Sequence, residues 1–199
     1  MMQYTISKEV SLKYLEKKSS FTAYLFFFKE DDDVQKHISY VSKKQKDARH
    51  IPYAYRYIDS SGALQEMYSD DGEPGKTAGF SALRVLQQKN VVNVCVVIAR
   101  TFGGVKLGTS GLMRAFAQSC QSALTEADLK EFIQTYSFEL FVAPAKIRVI
   151  ETFCKQKGIE YLVSPATDDS HLSEMSVVCT VSKDNSFLED ELSQTIINN

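Results

Sequence analysis

The chain has 199 residues, of which 44% are hydrophobic and 24% are charged, a composition that suits one or two globular domains with a buried core. Its uncharged apolar runs are too short to span a bilayer, and its first residues lack the apolar segment and small-residue cleavage site of a signal peptide. We therefore expect no membrane segment and a cytoplasmic protein.

The net charge of −2 is unevenly distributed along the chain. Residues 1–116 contain 17 Lys and Arg against 12 Asp and Glu, a net charge of +5, whereas residues 117–199 contain 6 against 13, a net charge of −7. This difference indicates two units with different surroundings. A mildly basic first half is compatible with contact to an RNA backbone, although a charge of this size is weak support on its own.

The cysteines are Cys95, Cys120, Cys154 and Cys179, and none of them belongs to a CxxC pair. Each lies in an apolar or helix-compatible segment, which favours a buried thiol over a zinc ligand. We therefore expect reduced, buried thiols and no zinc site.

The first part of the chain predicts a sheet flanked by helices. Residues 91–100 are almost continuously β-branched and apolar, which predicts a central strand covered on both faces. Val34, Ile38 and Val41 recur at helical spacing between aspartates and lysines, which predicts an amphipathic helix. The predicted elements in chain order are strand 19–28, helix 31–47, strand 51–59, its hairpin partner 63–69, helix 79–89, strand 91–100 and helix 110–130.

A second pattern begins near residue 130. The order β-α-β-β-α that follows is most of a ferredoxin-like unit without its last strand. We therefore predict an α+β protein with two domains, residues 1–130 and residues 131–199. The predicted elements of the second domain are strand 132–143, a helix from Pro144 to Lys157 that stops at Gly158, strands 159–167 and 174–182 joined by 168–173, and helix 185–196.

Seven of the nine glycines lie between Gly72 and Gly111, in two segments. The second segment, RTFGGVKLGTSG (100–111), follows the predicted central strand and opens a helix, where glycines allow positive φ and free amides attract anions. Neither GxxxxGK[ST] nor GxGxxG is present, so the glycines either form only a tight strand-to-helix turn, which is the more ordinary role, or open a phosphate-sized anion site of another kind. The candidate anion-binding residues are Arg49, His50, Arg100, Gly103, Gly104, Lys106, Gly108, Thr109, Ser110 and Arg114.

The first glycine segment, SDDGEPGKTAG (69–79), combines three carboxylates with turn-forming residues. Asp70, Asp71 and Glu73 are of the type that holds magnesium or transfers protons, but Asp71-Gly72 is also a turn dipeptide. We predict that the carboxylates fold against basic residues and amides of the second segment, with no metal and no catalytic residue. The predicted loop-structuring residues are Asp70, Asp71, Gly72, Glu73, Thr77 and Gly79.

Two further patterns leave contact with RNA open. Tyr53, Tyr55 and Tyr57 share one face of a predicted strand, where they either stack on bases or pack against the sheet, and packing is the more ordinary role. The lysines within residues 43–46 either end a helix in solvent or contact RNA.

Several motifs in order resemble the IMPACT family, most closely its bacterial two-domain, YigZ-like branch: KKSSFTAYL, DARHIPYAYR, YSDDGEPGKTAG and NVCVVIARTFGGVKLGTSGLMRAF. The resemblance is strong over 17–125 and fainter over 132–197. It implies a ribosomal S5 domain 2-like first domain and a ferredoxin-like second domain, similar to domains IV and V of elongation factor G. Ser110 stands where the family has glycine.

The resemblance also implies functions. Eukaryotic members regulate translation with an additional domain that has no counterpart in these motifs, and for bacterial members the fold implies binding to RNA or the ribosome. Our main hypothesis is a non-enzymatic cytoplasmic protein that binds RNA or the ribosome, with no cofactor. The alternatives are a metal-dependent hydrolase that uses Asp70, Asp71 and Glu73, and a module that binds a protein partner through residues 131–199.

Overall fold

The computed structural model describes residues 2–166, 174–182 and 185–198. The chain divides into two compact units, Met1–Phe132 and Ile133–Asn199. Both units combine helices with strands, so the predicted α+β class is confirmed. The S5-like and ferredoxin-like assignments to 1–130 and 131–199 stay predictions. Within the described ranges, no helix is long and apolar enough to cross a membrane.

The first unit is built on an antiparallel sheet of five strands in the order β2-β3-β6-β4-β5, and β1 pairs separately with β7. The described elements of this unit are β1 (Tyr4–Ile6), β2 (Val10–Glu16), β3 (Ser19–Phe27), α1 (Val34–Lys44), β4 (Tyr53–Ile58), β5 (Leu64–Ser69), α2 (Gly79–Gln88), β6 (Val94–Thr101), α3 (Gly108–Ala127) and β7 (Leu129–Glu131).

Helices cover both faces of this sheet, because successive side chains of a strand point to opposite sides. On one face, Phe21 of β3 and Ile98 of β6 belong to a buried core that includes residues of α2 and α3. On the other face, Tyr24 and Val97 belong to a second core that includes Val41 of α1. The predicted central strand is confirmed, since β6 pairs with both β3 and β4 and is buried on both sides.

Two features of this unit differ from the sequence predictions. Strands β1 and β2 lie before residue 19, where no element was predicted, and β2 half-buries alternate residues. The helix predicted over 110–130 is α3, which ends at Ala127. Asp128 stops it with a φ of 56°, and the next residues pair with β1. A positive φ at this position takes the chain out of the helical conformation and ends the helical hydrogen-bond pattern.

Tyr53, Tyr55 and Tyr57 are half-buried and pack against the core on the α1 side of the sheet. The rings of Tyr53 and Tyr55 are stacked at 6.3 Å, and the ring of Tyr55 stacks on Phe28 at 4.6 Å. The packing role that the sequence left open therefore accounts for these tyrosines.

The second unit has an antiparallel sheet in the order β8-β10-β9 within the residues that are described. Side chains of α4 and α5 share one core with the inward residues of the sheet, and Gly158, with a φ of 68°, ends α4. The predicted connection 168–173 lies outside the described residues. The elements are β8 (Thr135–Val142), a 3-10 turn (Pro144–Lys146), α4 (Ile147–Lys157), β9 (Glu160–Pro165), β10 (Met175–Ser182) and α5 (Phe187–Asn198).

All four cysteines are free and buried, as predicted. Burial raises the pKa of Cys120 and of Cys179 to about 12, so both thiols are protonated at neutral pH. The sulfur atoms of Cys154 and Cys179 lie 3.9 Å apart in the core of the second unit.

Candidate anion-binding site

Four loops of the first unit meet at one end of the five-stranded sheet. Strand β6 ends there, and its antiparallel neighbours β3 and β4 begin there, since Ser20 lies opposite Thr101 and Tyr53 lies opposite Val97. Strands β2 and β5 end at the same place for the same reason. The loops are therefore the β2–β3 turn, the α1–β4 loop, the β5–α2 loop and the β6–α3 loop.

A cavity of about 460 Å³ lies among these loops. It brings together four of the predicted anion-binding residues from two segments that are far apart in the sequence. The backbone joins those segments directly, because the amide of Arg100 donates to the carbonyl oxygen of His50 at 3.3 Å. The lining residues are Asp47, Arg49, His50, Glu73, Arg100, Thr101, Phe102 and Lys106.

Arg100 forms a buried ion pair at the wall of the cavity. Its Nη1 donates to both carboxylate oxygens of Glu73, at 2.6 and 2.7 Å. The Glu73 side chain is 2% exposed and that of Arg100 is 13% exposed, so water screens the pair little. The guanidinium carbon also lies 5.7 Å from the ring centres of both Phe21 and Phe102. The charge of Arg100 is therefore largely matched by Glu73.

Two other cations of the cavity are exposed. Arg49 and Lys106 form no ion pair within the part of the chain that is described, and both border the cavity. Asp47 is the exposed acid among the lining residues. The cavity therefore carries a net charge of about +1 when its histidine is neutral, and Arg49 and Lys106 supply it.

His50 is held by the β5–α2 loop. Its Nδ1 lies 2.6 Å from the carbonyl oxygen of Asp71, and because a carbonyl only accepts, Nδ1 carries the proton. The ring also packs on Gly72, where a Cβ would lie 3.1 Å from two ring atoms and φ is +80°. The carboxylate of Asp71 accepts from the amide of Ile51 at 2.6 Å. Asp71 thus joins the α1–β4 loop to its own loop.

Asp70 organises the start of α2. Its carboxylate accepts from the amides of Lys76, Ala78 and Phe80, at 2.6, 3.0 and 3.3 Å. The amides of Ala78 and Phe80 belong to the helix start, where Ala78 in the N-cap position has no side chain that could accept from a free amide. In the same loop the hydroxyl of Thr77 donates to the carbonyl of Pro74 at 2.6 Å.

The predicted contact between the two glycine segments is therefore wrong in part. Glu73 does reach the second segment, at Arg100, but Asp70 and Asp71 bind amides of α2 and of Ile51 instead. The reason is that the β4–β5 pairing carries these aspartates toward α2 and the α1–β4 loop. In the described residues no group of three His, Cys, Asp or Glu side chains is placed to hold a metal ion.

We expect Asp70→Ala to lower the free energy of unfolding by about 2 kcal/mol, because three amides lose their acceptor at once. Urea unfolding followed by circular dichroism measures the loss, and hydrogen exchange should localise it to residues 76–80. Asp31→Ala is the matched control, since Asp31 is exposed and should change stability by less than about 0.5 kcal/mol. Equal losses in both variants would contradict this role of Asp70.

Two of the glycines, Gly79 and Gly103, lie against backbone of the sheet and of its β2–β3 turn. A Cβ on Gly103 would clash with the backbone of Lys18 and Ser19, and one on Gly79 would clash with the carbonyl oxygens of Ser69 and Tyr53. The amide of Gly103 also donates to the hydroxyl of Ser19 at 3.1 Å. The β2–β3 turn, with Lys18 exposed, is thereby held against the β6–α3 loop.

Six predicted anion-binding residues lie outside the cavity lining: Gly103, Gly104, Gly108, Thr109, Ser110 and Arg114. Gly104 and Gly108 adopt φ values of +85° and +71°, with open space around each. No side chain caps the start of α3, and Thr109 and Ser110 are exposed in its first turn. Arg114 is exposed in the second turn of α3.

Sequence reasoning missed several residues of this end of the sheet. Phe102 is 53% exposed although it directly follows a buried strand, and the only signal in the sequence was an aromatic residue immediately before a glycine pair. Thr101 and Asp47 carried no signal of their own. Lys17 and Lys18 could be recognised only once the strand before residue 17 was known, because that strand makes them a turn beside Gly103.

These features define a two-unit α+β protein that gathers basic loops at one end of its first sheet. The Impact N-terminal domain matches residues 17–124. The "IMPACT family member" of Haemophilus influenzae is 30% identical over 173 residues, which are 86% of this chain and 84% of that protein. The "IMPACT family member YigZ" of Escherichia coli is 33% identical over 110 residues, 55% of this chain and 54% of that protein. The chain belongs to the IMPACT family, in its bacterial, YigZ-like branch.

A solved structure described as the "Crystal structure of an hypothetical protein" has a similar fold. Its TM-score with this chain is 0.67 at 21% sequence identity, over 99% of this chain and 92% of that one. At this identity the similarity concerns the fold alone.

Proposed function

We propose that this protein binds RNA, free or within the ribosome, through the basic loops at the end of its first sheet, and that it does so without catalysing a reaction. The observation that carries the proposal is the pair of exposed cations, Arg49 and Lys106, at the edge of the cavity. Neither has an acidic partner among the described residues, so both are available to a phosphate.

The β2–β3 turn extends the same surface. Lys17 and Lys18 are exposed, and the contact between Lys18 and Gly103 keeps them beside the β6–α3 loop. A nucleic-acid backbone presents a phosphate at every nucleotide, so a row of separate cations suits it better than one closed anion pocket does. The proposal therefore extends beyond the cavity to the turn.

We also propose a role in translation, and this proposal is based on the resemblance to the IMPACT family. A ribosomal S5 domain 2-like first domain and a ferredoxin-like second domain, over 1–130 and 131–199, would suit a protein of translation or its regulation in the cytoplasm. The hydrolase alternative receives no support from the loop 70–78, since the carboxylates of Asp70, Asp71 and Glu73 are each used to bind amides or Arg100.

We expect the protein to bind a structured RNA with an affinity that falls steeply as salt rises. The variant Arg49→Gln/Lys106→Gln should bind about tenfold more weakly and lower the slope of log affinity against log salt by about 2. Filter binding over a salt series measures both quantities.

The matched control removes the same two charges from the second unit, as Arg148→Gln/Lys155→Gln, where both side chains are exposed. It should bind RNA as the unchanged protein does. Failure of the unchanged protein to bind RNA at low salt, or equal weakening in both variants, would refute the proposal.

A second candidate is a protein-binding role for the second unit. Leu162 of β9 is 68% exposed on an edge strand of the described sheet, and residues 133–199 contain 5 Lys and Arg against 10 Asp and Glu, a net charge of −5. An apolar residue on an exposed strand edge, in a unit of net negative charge, suits a basic protein partner. Capture of a partner by the full chain that is lost with Leu162→Lys would support this role, whereas capture unaffected by that change would count against it.

A further inference from the structure

Phe102 is an exposed aromatic ring that contacts the guanidinium of Arg100. It lines the cavity and is 53% exposed. The guanidinium of Arg100 lies 5.7 Å from its ring centre and at the same distance from the buried ring of Phe21. Glu73 binds Arg100 through two hydrogen bonds, and Arg100 in turn contacts the ring of Phe102. Much of the ring remains exposed and is open to a ligand.

The cavity is too large for a phosphate alone. Its volume of about 460 Å³ falls within the range of roughly 300–1,000 Å³ that is usual for small-molecule sites. Besides the cations Arg49 and Lys106, the lining includes the exposed ring of Phe102. A nucleotide matches both features, since it carries an anionic group and a flat aromatic base in one covalent unit.

The residues that line the cavity favour an unpaired nucleotide over a base-paired one. A base within a duplex is already stacked on its neighbours and offers no free face to a side chain, whereas an unpaired base does. Aromatic side chains beside a cationic track are the usual means by which proteins bind single strands. Phe102, next to Arg49 and Lys106, has this arrangement.

We propose that the cavity binds one unpaired nucleotide of an RNA strand, with its phosphate at Arg49 and Lys106 and its base stacked on Phe102. This inference rests on the proposed RNA binding and adds the form of RNA that is recognised. It makes single-stranded RNA, a loop or a free end the preferred ligand over a continuous duplex.

Fluorescence anisotropy with a short unstructured RNA and with a duplex of the same sequence tests the preference. The unchanged protein should bind the single strand about tenfold more tightly. Phe102→Leu should weaken binding to the single strand about tenfold and leave the salt slope unchanged, because a stacking contact releases no counterions. Phe102→Tyr, which keeps the ring, should bind as the unchanged protein does.

A second measurement tests stacking directly. An RNA with 2-aminopurine at successive positions should lose fluorescence at one position when the unchanged protein or Phe102→Tyr binds, and should keep it with Phe102→Leu. Equal affinity for duplex and single strand, or single-strand binding that is independent of Phe102, would overturn this inference while RNA binding stands. Absence of any RNA binding would overturn the proposed function and this inference together.

Discussion

Gly103→Ala is expected to lower the free energy of unfolding of the first unit by about 3 kcal/mol, because the added methyl group would overlap backbone atoms. The atoms in its way are the carbonyl of Lys18 and the amide nitrogen of Ser19. Neither can move without shifting the β2–β3 turn, which is fixed by the pairing of β3 with β6. A flexible side chain could give way, but a paired backbone cannot do so cheaply.

Gly75→Ala is the matched control for this prediction. Gly75 lies in the other glycine segment, has no atom within 4 Å of a built Cβ and does not require a positive φ. Its replacement should change stability by less than about 0.5 kcal/mol. Urea unfolding followed by circular dichroism gives both values, and hydrogen exchange of β3 and β6 assigns the loss to the first unit. A loss of similar size in the two variants would contradict the steric explanation.

The central part of the fold could be predicted from local patterns. The run at 91–100 is apolar and β-branched throughout, and such a strand is stable only with both faces covered. Strand β2 was not predicted because it is an edge strand with alternate residues exposed, and its charged residues Lys13 and Glu16 are also common in surface loops. The end of α3 was not predicted because Asp128 ends the helix through its positive φ, and an aspartate in the sequence does not by itself indicate a positive φ.

The sequence identified many residues of the candidate site, but it could not predict which of them contact each other. Three carboxylates and several cations were visible in two segments, and nothing local decides which of them meet. The register of β4 with β6 and with β5 makes that choice: it brings Glu73 to Arg100 and leaves Asp71 beside Ile51. The binding roles of these residues stay predictions until RNA binding is measured.

The ion pair between Glu73 and Arg100 should dominate the stability of this end of the sheet. Glu73→Ala is expected to lower the free energy of unfolding by about 4 kcal/mol, because it leaves a mostly buried guanidinium without its carboxylate. Arg100→Ala should lower the free energy of unfolding by a similar amount, since it leaves the carboxylate of Glu73, which is 2% exposed, without its cation. The double variant should lose less than the sum of the two, with a coupling of about 2 kcal/mol.

The pair between Lys157 and Glu191 is the matched control for this cycle. Its atoms are 2.8 Å apart, close to the distance in the buried pair, but the side chains are 38% and 43% exposed. Water therefore screens the charges, and Lys157→Ala should cost less than about 0.5 kcal/mol. Urea unfolding of the four variants and the unchanged protein measures the comparison. Strict additivity of the losses in Glu73→Ala and Arg100→Ala would show that the two side chains contribute to stability independently. Glu73 would then not be what holds Arg100 in position beside Phe102.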